Sequence, residues 1–420
     1  MYFRLHDDCK LVKGALRAAI YDFKTGKVYS INTGAAELLS ACQDNTIQDL
    51  WDVDSPDTID YMNFLRKLRD KDLGTFHNAK PLPIAESLVP SSPVKLKFVW
   101  LELTSACNSK CLHCYAECSP SQVIPEQVPH HRWLSLIEEA KQAGASDIQF
   151  IGGEPLLYPR WRELVVKAHQ LGFEYIEIFT NGTLIDDSCV NFFKQYNVRI
   201  ATTLYADNEE IHDKITLQPN SFNKTKAAIG KIMDANIPLR IASIIMKVNE
   251  HEVENIMKLY EKLGMKDAHP DVIRPTGRGD DHDLLPVHYH KPVIKPPFYC
   301  DEDTFVAAHH HHGCLAGKIA ITTTGDVIPC IFARNQLCGN ILKNSLTEIL
   351  SGHPLTSCWY TTKDNINKCS DCEYRYACAD CRPLAQGSDP KKLWQACPQN
   401  CSYDPYTGTW SNFPEPIVNP

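Results

Sequence analysis

Nothing in this chain reads as a membrane span: no run approaches the roughly 18 consecutive apolar residues that a spanning helix needs. The opening MYFRLHDDCK is charged and lacks the apolar core of a secretion signal. A strong excess of one charge is missing too. Forty-three Lys and Arg stand against 51 Asp and Glu, a net charge of −8 with pI near 6.1. That balance argues against a broad polyanion-binding surface, so neither nucleic acid nor membrane is expected as a partner. The expectation is a cytoplasmic protein.

Cysteine is what the chain has in quantity. Eighteen cysteines without a signal peptide point to metal ligands rather than disulfides. In LELTSACNSKCLHCYAECSP, Cys107, Cys111 and Cys114 are separated by three and then two residues. Zinc is the plain reading of a cysteine cluster, but zinc sites usually close with four ligands in two close pairs. This triplet is asymmetric. Its three thiolates could hold three irons of a four-iron cluster and leave the fourth iron open. Cys118 could complete a four-cysteine structural site, so the two readings compete.

Three segments differ in their patterning. Residues 1–95 open with β-leaning runs, LVKGALRAAIYDF and KVYSI, joined at a turn around Lys24-Thr25-Gly26. Helical patterns follow in AAELLSA and YMNFLRKLRDKDL, and together these suggest a small winged-helix-like unit. A proline-rich stretch, PLPIAESLVPSSPVK, then reads as a linker. Residues 96–295 alternate. Strand candidates are FVWLELT, DIQFIGG, YIEIFTNG, VRIATTLY, LRIASIIM and AHPDVIRP. Between them lie amphipathic helices, such as the one carrying Trp133, Leu136, Ile137 and Ala140 before Gly144. Alternation of this kind implies an α/β fold with a parallel sheet, and six units make a partial (β/α)6 barrel. The cysteine triplet falls just past the first strand, at the end where such folds hold their chemistry. Residues 296–420 are loop-rich and hold eleven of the cysteines, so metal is needed to hold them together.

The spacing CNSKCLHC after the first strand, with GGEP closing the second, resembles the radical S-adenosylmethionine (SAM) superfamily. The resemblance implies that Cys107, Cys111 and Cys114 ligate a 4Fe-4S cluster whose open iron chelates SAM. Gly152, Gly153, Glu154 and Pro155 would line the methionine amine site, His113 takes the usual aromatic position, and Thr180 and Asn181 lie where the family contacts SAM. The simpler reading of Thr180 and Asn181 is a turn before a helix.

Farther on, Cys314, ten residues, Gly325, four residues and Cys330 precede CSDCEYRYACADC. This is similar to the SPASM domain, which carries two auxiliary 4Fe-4S clusters; the last gap here is two residues where the family often has three. The resemblance implies Cys314, Cys330 and Cys381 for the first auxiliary cluster, with Cys300 or an open iron at its fourth position. It implies Cys369, Cys372 and Cys378 for the second, completed by Cys401 in preference to Cys397. In isolation this pattern also reads as a zinc ribbon. His309–His312 read as a solvated loop. Cys9, Cys42, Cys189, Cys338 and Cys358 read as ordinary thiols. GRGDD at 277–281 is either a turn or a loop contacting a peptide.

All three segments together resemble radical SAM/SPASM peptide maturases, with residues 1–95 similar to the peptide-recognition element that binds a precursor's leader as an added strand. The implied enzyme cleaves SAM to a 5′-deoxyadenosyl radical and takes hydrogen from a ribosomally made precursor peptide, forming a carbon–carbon or thioether crosslink. Peptide splicing at tyrosine and epimerisation, with Cys118 as hydrogen donor, are the alternatives. A zinc-stabilised peptide-binding scaffold is the alternative from another class. Implied partners are a leader-bearing precursor, an electron donor such as flavodoxin or ferredoxin, and, as an option, an accessory protein. No protein acid or base is assigned.

Overall fold

The alternating apolar pattern folds as five adjacent parallel strands: Phe98–Glu102, Asp147–Ile151, Tyr175–Phe179, Arg199–Thr203 and Leu239–Ala242. The computed structural model describes residues 1–50, 56–81, 93–121, 127–265 and 268–411. After Ser243 the chain resumes as Ile244–Ile245, which pairs in parallel with Asp271–Val272. The sixth strand expected from AHPDVIRP is therefore present but only two residues long. The result is an α/β partial barrel, followed by a cysteine-rich C-terminal region.

Because side chains alternate across a strand, each barrel strand has two unlike faces. Val99, Leu101, Ile148, Phe150, Ile176 and Ile178 face outward into one core with the helix residues Trp133, Leu136, Ile137, Leu164, Val165 and Ala168. Alternate positions carry buried polar groups: Gln149 donates to Glu177, which also accepts from Arg240 at 2.8 Å. The helices stop where the sequence places them, at Gly144, Gly172 and Gly264, each in the left-handed region.

The sheet does not end with the barrel. Lys318–Ile321 pairs in parallel with the first barrel strand, and Asp326–Ile328 and Gly339–Asn340 follow antiparallel to make eight strands in all. The cysteine-rich region is thereby fixed against the strand that feeds the cysteine triplet. Its helices are short: Leu346–Ser351, His353–Trp359 and Arg382–Ser388. The run His309–His312 departs from the expected solvated loop. His309 and His310 end the helix Glu302–His310, and His309 stacks on Tyr376. His312 is buried and accepts from the amides of Cys314 and Leu315, leaving its Nε2 to donate to Asp380 at 3.1 Å.

At the N-terminus the run LVKGALRAAIYDF is two strands, Cys9–Lys13 and Ala18–Asp22, turned at Gly14–Arg17. Val28–Ile31 adds the third strand after a turn with Gly26 at φ +73°. Helices Thr33–Ala41 and Pro56–Asp70 follow, with Leu38, Leu39, Leu65 and Leu68 buried. An antiparallel pair, Tyr2–Leu5 with Gly74–His77, was not legible in the sequence pattern. The proline-rich linker lies largely at 82–92, outside the described residues.

One face of this small sheet packs on the cysteine-rich region. Val12, Ala19 and Tyr21 share an apolar cluster with Phe298, Phe305, Tyr374, Tyr376 and Tyr403. Hydrogen bonds run across: Ala15 N to Asp371 O (2.8 Å) and Cys300 N to Gly26 O (2.7 Å) between main chains, and the Tyr21 hydroxyl to Glu373 O (3.0 Å). Gly14 sits where a Cβ would meet Asp371 O and Glu373 N at 2.9 Å. Gly14→Ala is expected to destabilise this docking by about 1–3 kcal/mol, the usual cost of overpacking. Hydrogen–deuterium exchange should then quicken at Cys9–Lys13 and at Cys369–Cys378 together. Unchanged protection at both would show that the contact does not hold the two parts together.

Candidate active site

The site forms where the first two barrel strands end. Gly153 N donates to Thr104 O (2.7 Å) and Glu154 N to Ala106 O (2.8 Å), so GGEP is stitched to the loop that opens the cysteine triplet. Both glycines are required by closeness. A Cβ on Gly153 would lie 2.3 Å from Ala106 O, and one on Gly152, at φ +151°, 2.6 Å from Thr104 O.

Cys107, Cys111 and Cys114 are brought together within reach of one another's charge. Burial pushes Cys107 up to about 12 and Cys111 well above the ordinary thiol range, and neighbouring thiolates push each further. Cys114 moves the other way, to about 6, because the Cys118 thiol donates to it. Buried thiols of this kind ionise together only against concentrated positive charge, so the donor set fits a polynuclear iron–sulfur group. Among the described residues no three His, Cys, Asp or Glu converge closely enough to hold a single ion.

The loop is clamped from above by a residue that motif reading did not single out. Arg278 donates from its main chain to Cys114 O (3.1 Å), from Nε to Cys111 O (3.0 Å) and from Nη2 to Cys118 O (2.7 Å). Gly277 makes room, since a Cβ there would lie 2.4 Å from Tyr115 O. The GRGDD turn thus packs on the cysteine loop. Its sequence cue was a charged residue between two glycines just past the last barrel strand.

The remaining candidates form one network. Glu154 is fully buried and accepts from Thr180 Oγ1 (2.7 Å), Asn181 N (2.8 Å) and Leu156 N (3.0 Å). Burial nevertheless raises its carboxyl to about 7, the three donors opposing. Asn181 Nδ2 donates to Asn108 Oδ1 (2.7 Å), and Asn108 donates in turn to Thr183 Oγ1 (2.7 Å). Asn108, inside the cysteine loop, is a second residue the motifs did not mark. Pro155 opens the turn Pro155–Leu157, which Glu154 caps. His113 packs edge-on to Tyr205, and burial lowers its imidazole to about 4, so the ring is neutral. Among the described residues its Nδ1 is buried without a hydrogen-bond partner. Beside Gly152 lies a cavity of about 290 Å³ lined by Glu102, Cys118, Thr322, Thr323, Thr324, Asp326 and Arg334. Arg334 pairs with Glu102 at 2.7 Å across its wall.

The C-terminal cysteines fall into two groups. Cys314, Cys330 and Cys381 share one neighbourhood with Arg274, whose Nε is buried and unpaired. Cys369, Cys372, Cys378, Cys397 and Cys401 line a single cavity, with the Cys369 and Cys397 sulfurs 3.9 Å apart. Both candidates for its fourth ligand are therefore present. Cys300 is placed elsewhere: its thiol donates to Asp301 O and Tyr376 O (3.5 Å each), and it packs against Tyr21 and Phe305 rather than with the first group. The sequence-based assignment of Cys300 to that group is not supported by this placement. Cys338 and Cys358, taken as ordinary thiols, are hydrogen-bonded to each other in the core.

Residues 101–260 match the Radical SAM superfamily, and residues 314–373 match SPASM, an iron–sulfur cluster-binding domain. Among curated proteins, the AdoMet-dependent heme synthase of Methanosarcina barkeri is 27% identical over 318 residues, covering 68% of this chain and 90% of that protein. The sporulation killing factor maturation protein SkfB of Bacillus subtilis is 29% identical over 288 residues, covering 64% of this chain and 68% of that protein. The antilisterial bacteriocin subtilosin biosynthesis protein AlbA, also of Bacillus subtilis, is 25% identical over 314 residues, covering 71% and 69%. In fold, the chain is similar to Streptococcus suis SuiB bound to S-adenosylmethionine, with TM-score 0.58, 14% identity, and 95% and 99% of the two chains covered. SuiB bound to precursor peptide SuiA matches with TM-score 0.52 at 14% identity, covering 94% and 98%.

Proposed function

From a chain that carries a radical SAM barrel and a SPASM iron–sulfur domain, we propose a peptide-maturing enzyme that crosslinks a ribosomally made precursor. One observation carries the peptide reading. The sheet and helices of residues 1–95 dock on the cysteine-rich region, and the likeness to SuiB, solved with a precursor peptide, extends over 95% of the chain and so into this unit. A leader would add to an outer strand of the three-stranded sheet. Val28 N already donates to Phe298 O (3.2 Å), so one end of the Val28–Ile31 edge is occupied. The heme-synthase relatives support a second reading, a tetrapyrrole substrate, which assigns the N-terminal unit no role in substrate capture.

When loaded, the Cys107/Cys111/Cys114 site supplies a 5′-deoxyadenosyl radical from SAM for hydrogen abstraction, and the two SPASM sites supply an exit for one further electron. The chain's own residues do the rest. Arg278 and the Gly152–Gly153 contact fix the cysteine loop. Glu154, oriented by Thr180 and Asn181, would accept a hydrogen bond from an N–H of SAM's methionine amine. Neutral His113 flanks the site without adding charge. The polar cavity beside Gly152 takes the reacting residue and excludes bulk water. Epimerisation with Cys118 as donor fits less well, because the Cys118 thiol is held to Cys114 and Ala116 O.

Two outcomes follow. The Glu154 carboxylate is a strong acceptor for that N–H and the protonated acid a weak one. With its carboxyl near 7, SAM affinity in the reconstituted enzyme should fall about tenfold from pH 8 to pH 6. Calorimetry should find that slope flattened in Glu154→Gln; an equal slope in both proteins would remove Glu154 from the amine site. The second concerns the reaction. Replacing Cys107, Cys111 and Cys114 with Ala should remove about a third of an iron content near twelve per chain and abolish 5′-deoxyadenosine formation. With the intact enzyme, tandem mass spectrometry of the precursor should show loss of two hydrogens and no fragmentation between the joined residues. Persistent 5′-deoxyadenosine in the triple variant would overturn the SAM site. An unchanged mass with deuterium uptake from heavy water, or loss of a backbone fragment, would replace crosslinking by epimerisation or splicing.

A further inference from the structure

The second SPASM cysteine group is built beside a cation whose donors are unspent. Lys363 opens the short turn Lys363–Asn365, is only 7% exposed, and lines the same cavity as Cys369, Cys372, Cys378 and Cys401. Its Nζ makes no hydrogen bond among the described residues. Asp380 Oδ1 lies 3.3 Å away, close enough for charge attraction, but that carboxylate is already engaged by His312 and Arg382. One carboxylate thus faces two buried cations, Lys363 and Arg382, and leaves a positive charge over. No described Asp or Glu lines the cavity itself; the acceptors among its lining side chains are the tyrosine hydroxyls of Tyr374 and Tyr403 and the five cysteine sulfurs, of which the sulfurs carry the charge once they ligate a metal. A buried ammonium is costly unless opposite charge meets it, so its presence at this wall calls for an anionic occupant.

We propose that Lys363 is a positioning residue of the second auxiliary site: its ammonium donates to the sulfurs of the cluster held there and raises that cluster's reduction potential. The inference rests on the reading that Cys369, Cys372, Cys378 and Cys401 or Cys397 bind an iron–sulfur cluster. A cluster held by thiolates is anionic and gains one more negative charge on taking an electron. A fixed cation in water-poor surroundings favours the more negative state, and hydrogen bonds to sulfur act in the same direction. At the first group Arg274 spends Nη1 and Nη2 on Val272 O and Asp271 (2.6 Å each) and has its Nε over. The Lys363 ammonium has only a share of the Asp380 carboxylate, so the second site's potential is lifted by a whole buried charge, which suits it to receive an electron leaving the product.

The test is an EPR-monitored redox titration of the reconstituted full-length chain, with the second auxiliary signal identified as the one that Cys372→Ala removes. Lys363→Met should keep that signal and move its midpoint to lower potential, leaving the other signals in place. Lys363→Arg, which retains charge and donors, should stay near the parent value. An unmoved midpoint in Lys363→Met would overturn the proposal. Loss of the signal's iron in both variants would overturn it too, by making Lys363 a structural support. If the parent protein shows no signal that depends on Cys372, the cluster reading itself fails, a result distinct from either of these.

Discussion

Concentrated negative charge without water is the constraint around which this molecule is arranged. All eighteen cysteines are free thiols, and eleven of them gather in three groups. Each group has a cation of its own: half-buried Arg278 over the cysteine loop, half-buried Arg274 beside Cys381, and buried Lys363 beside Cys378. Single positive charges do not balance three or four thiolates. The thiols of Cys107, Cys330 and Cys378 are accordingly pushed up to about 12, with burial the largest cause. Iron supplies the missing charge, and for the C-terminal third, where helices are short and loops long, its binding energy is also folding energy.

The sheet explains why these groups lie where they do. Parallel strands bring their carboxyl ends to one edge, and the cysteine loop, GGEP and the Thr180–Thr183 turn meet there through Ala106, Glu154 and Asn108. Lys318–Ile321 then extends the same sheet from the first barrel strand. That pairing carries the turn Thr322–Thr324 to the wall of the cavity beside Gly152, so the SPASM region helps to enclose the reaction space. The N-terminal sheet docks directly on the loop around Cys372, with Glu373 accepting from Tyr403 (2.6 Å) and Gly14 pressed against its backbone. The N-terminal sheet and the second group of SPASM cysteines are therefore built on a common surface.

What could be read from the sequence was whatever depends on local pattern. Apolar periodicity located all six barrel strands, and helix-ending glycines marked three of the helix stops. The cysteine spacing and GGEP identified residues that the structure does bring together. Arg278 was visible only as part of the GRGDD turn and Asn108 not at all, because each acts through contacts with segments distant in sequence. His312 was misread for the same reason: a histidine run looks solvated until its partner, Asp380, folds against it from 68 residues away. Cys300 was assigned by order along the chain, but the N-terminal sheet draws the segment around Phe298–Cys300 to Gly26 and Val28. The pairing of Tyr2–Leu5 with Gly74–His77 likewise joins two short segments with no pattern between them to announce it.

The central claim is that three cysteine groups hold four-iron clusters and that one iron alone, at the Cys107/Cys111/Cys114 site, is open to SAM. Mössbauer spectroscopy of protein reconstituted anaerobically with iron-57 tests this most directly. The account predicts about twelve irons per chain in cubane clusters, of which one changes its spectrum when SAM is added. Zinc in place of iron at the cysteine groups, or a spectrum that SAM leaves unaltered, would contradict it.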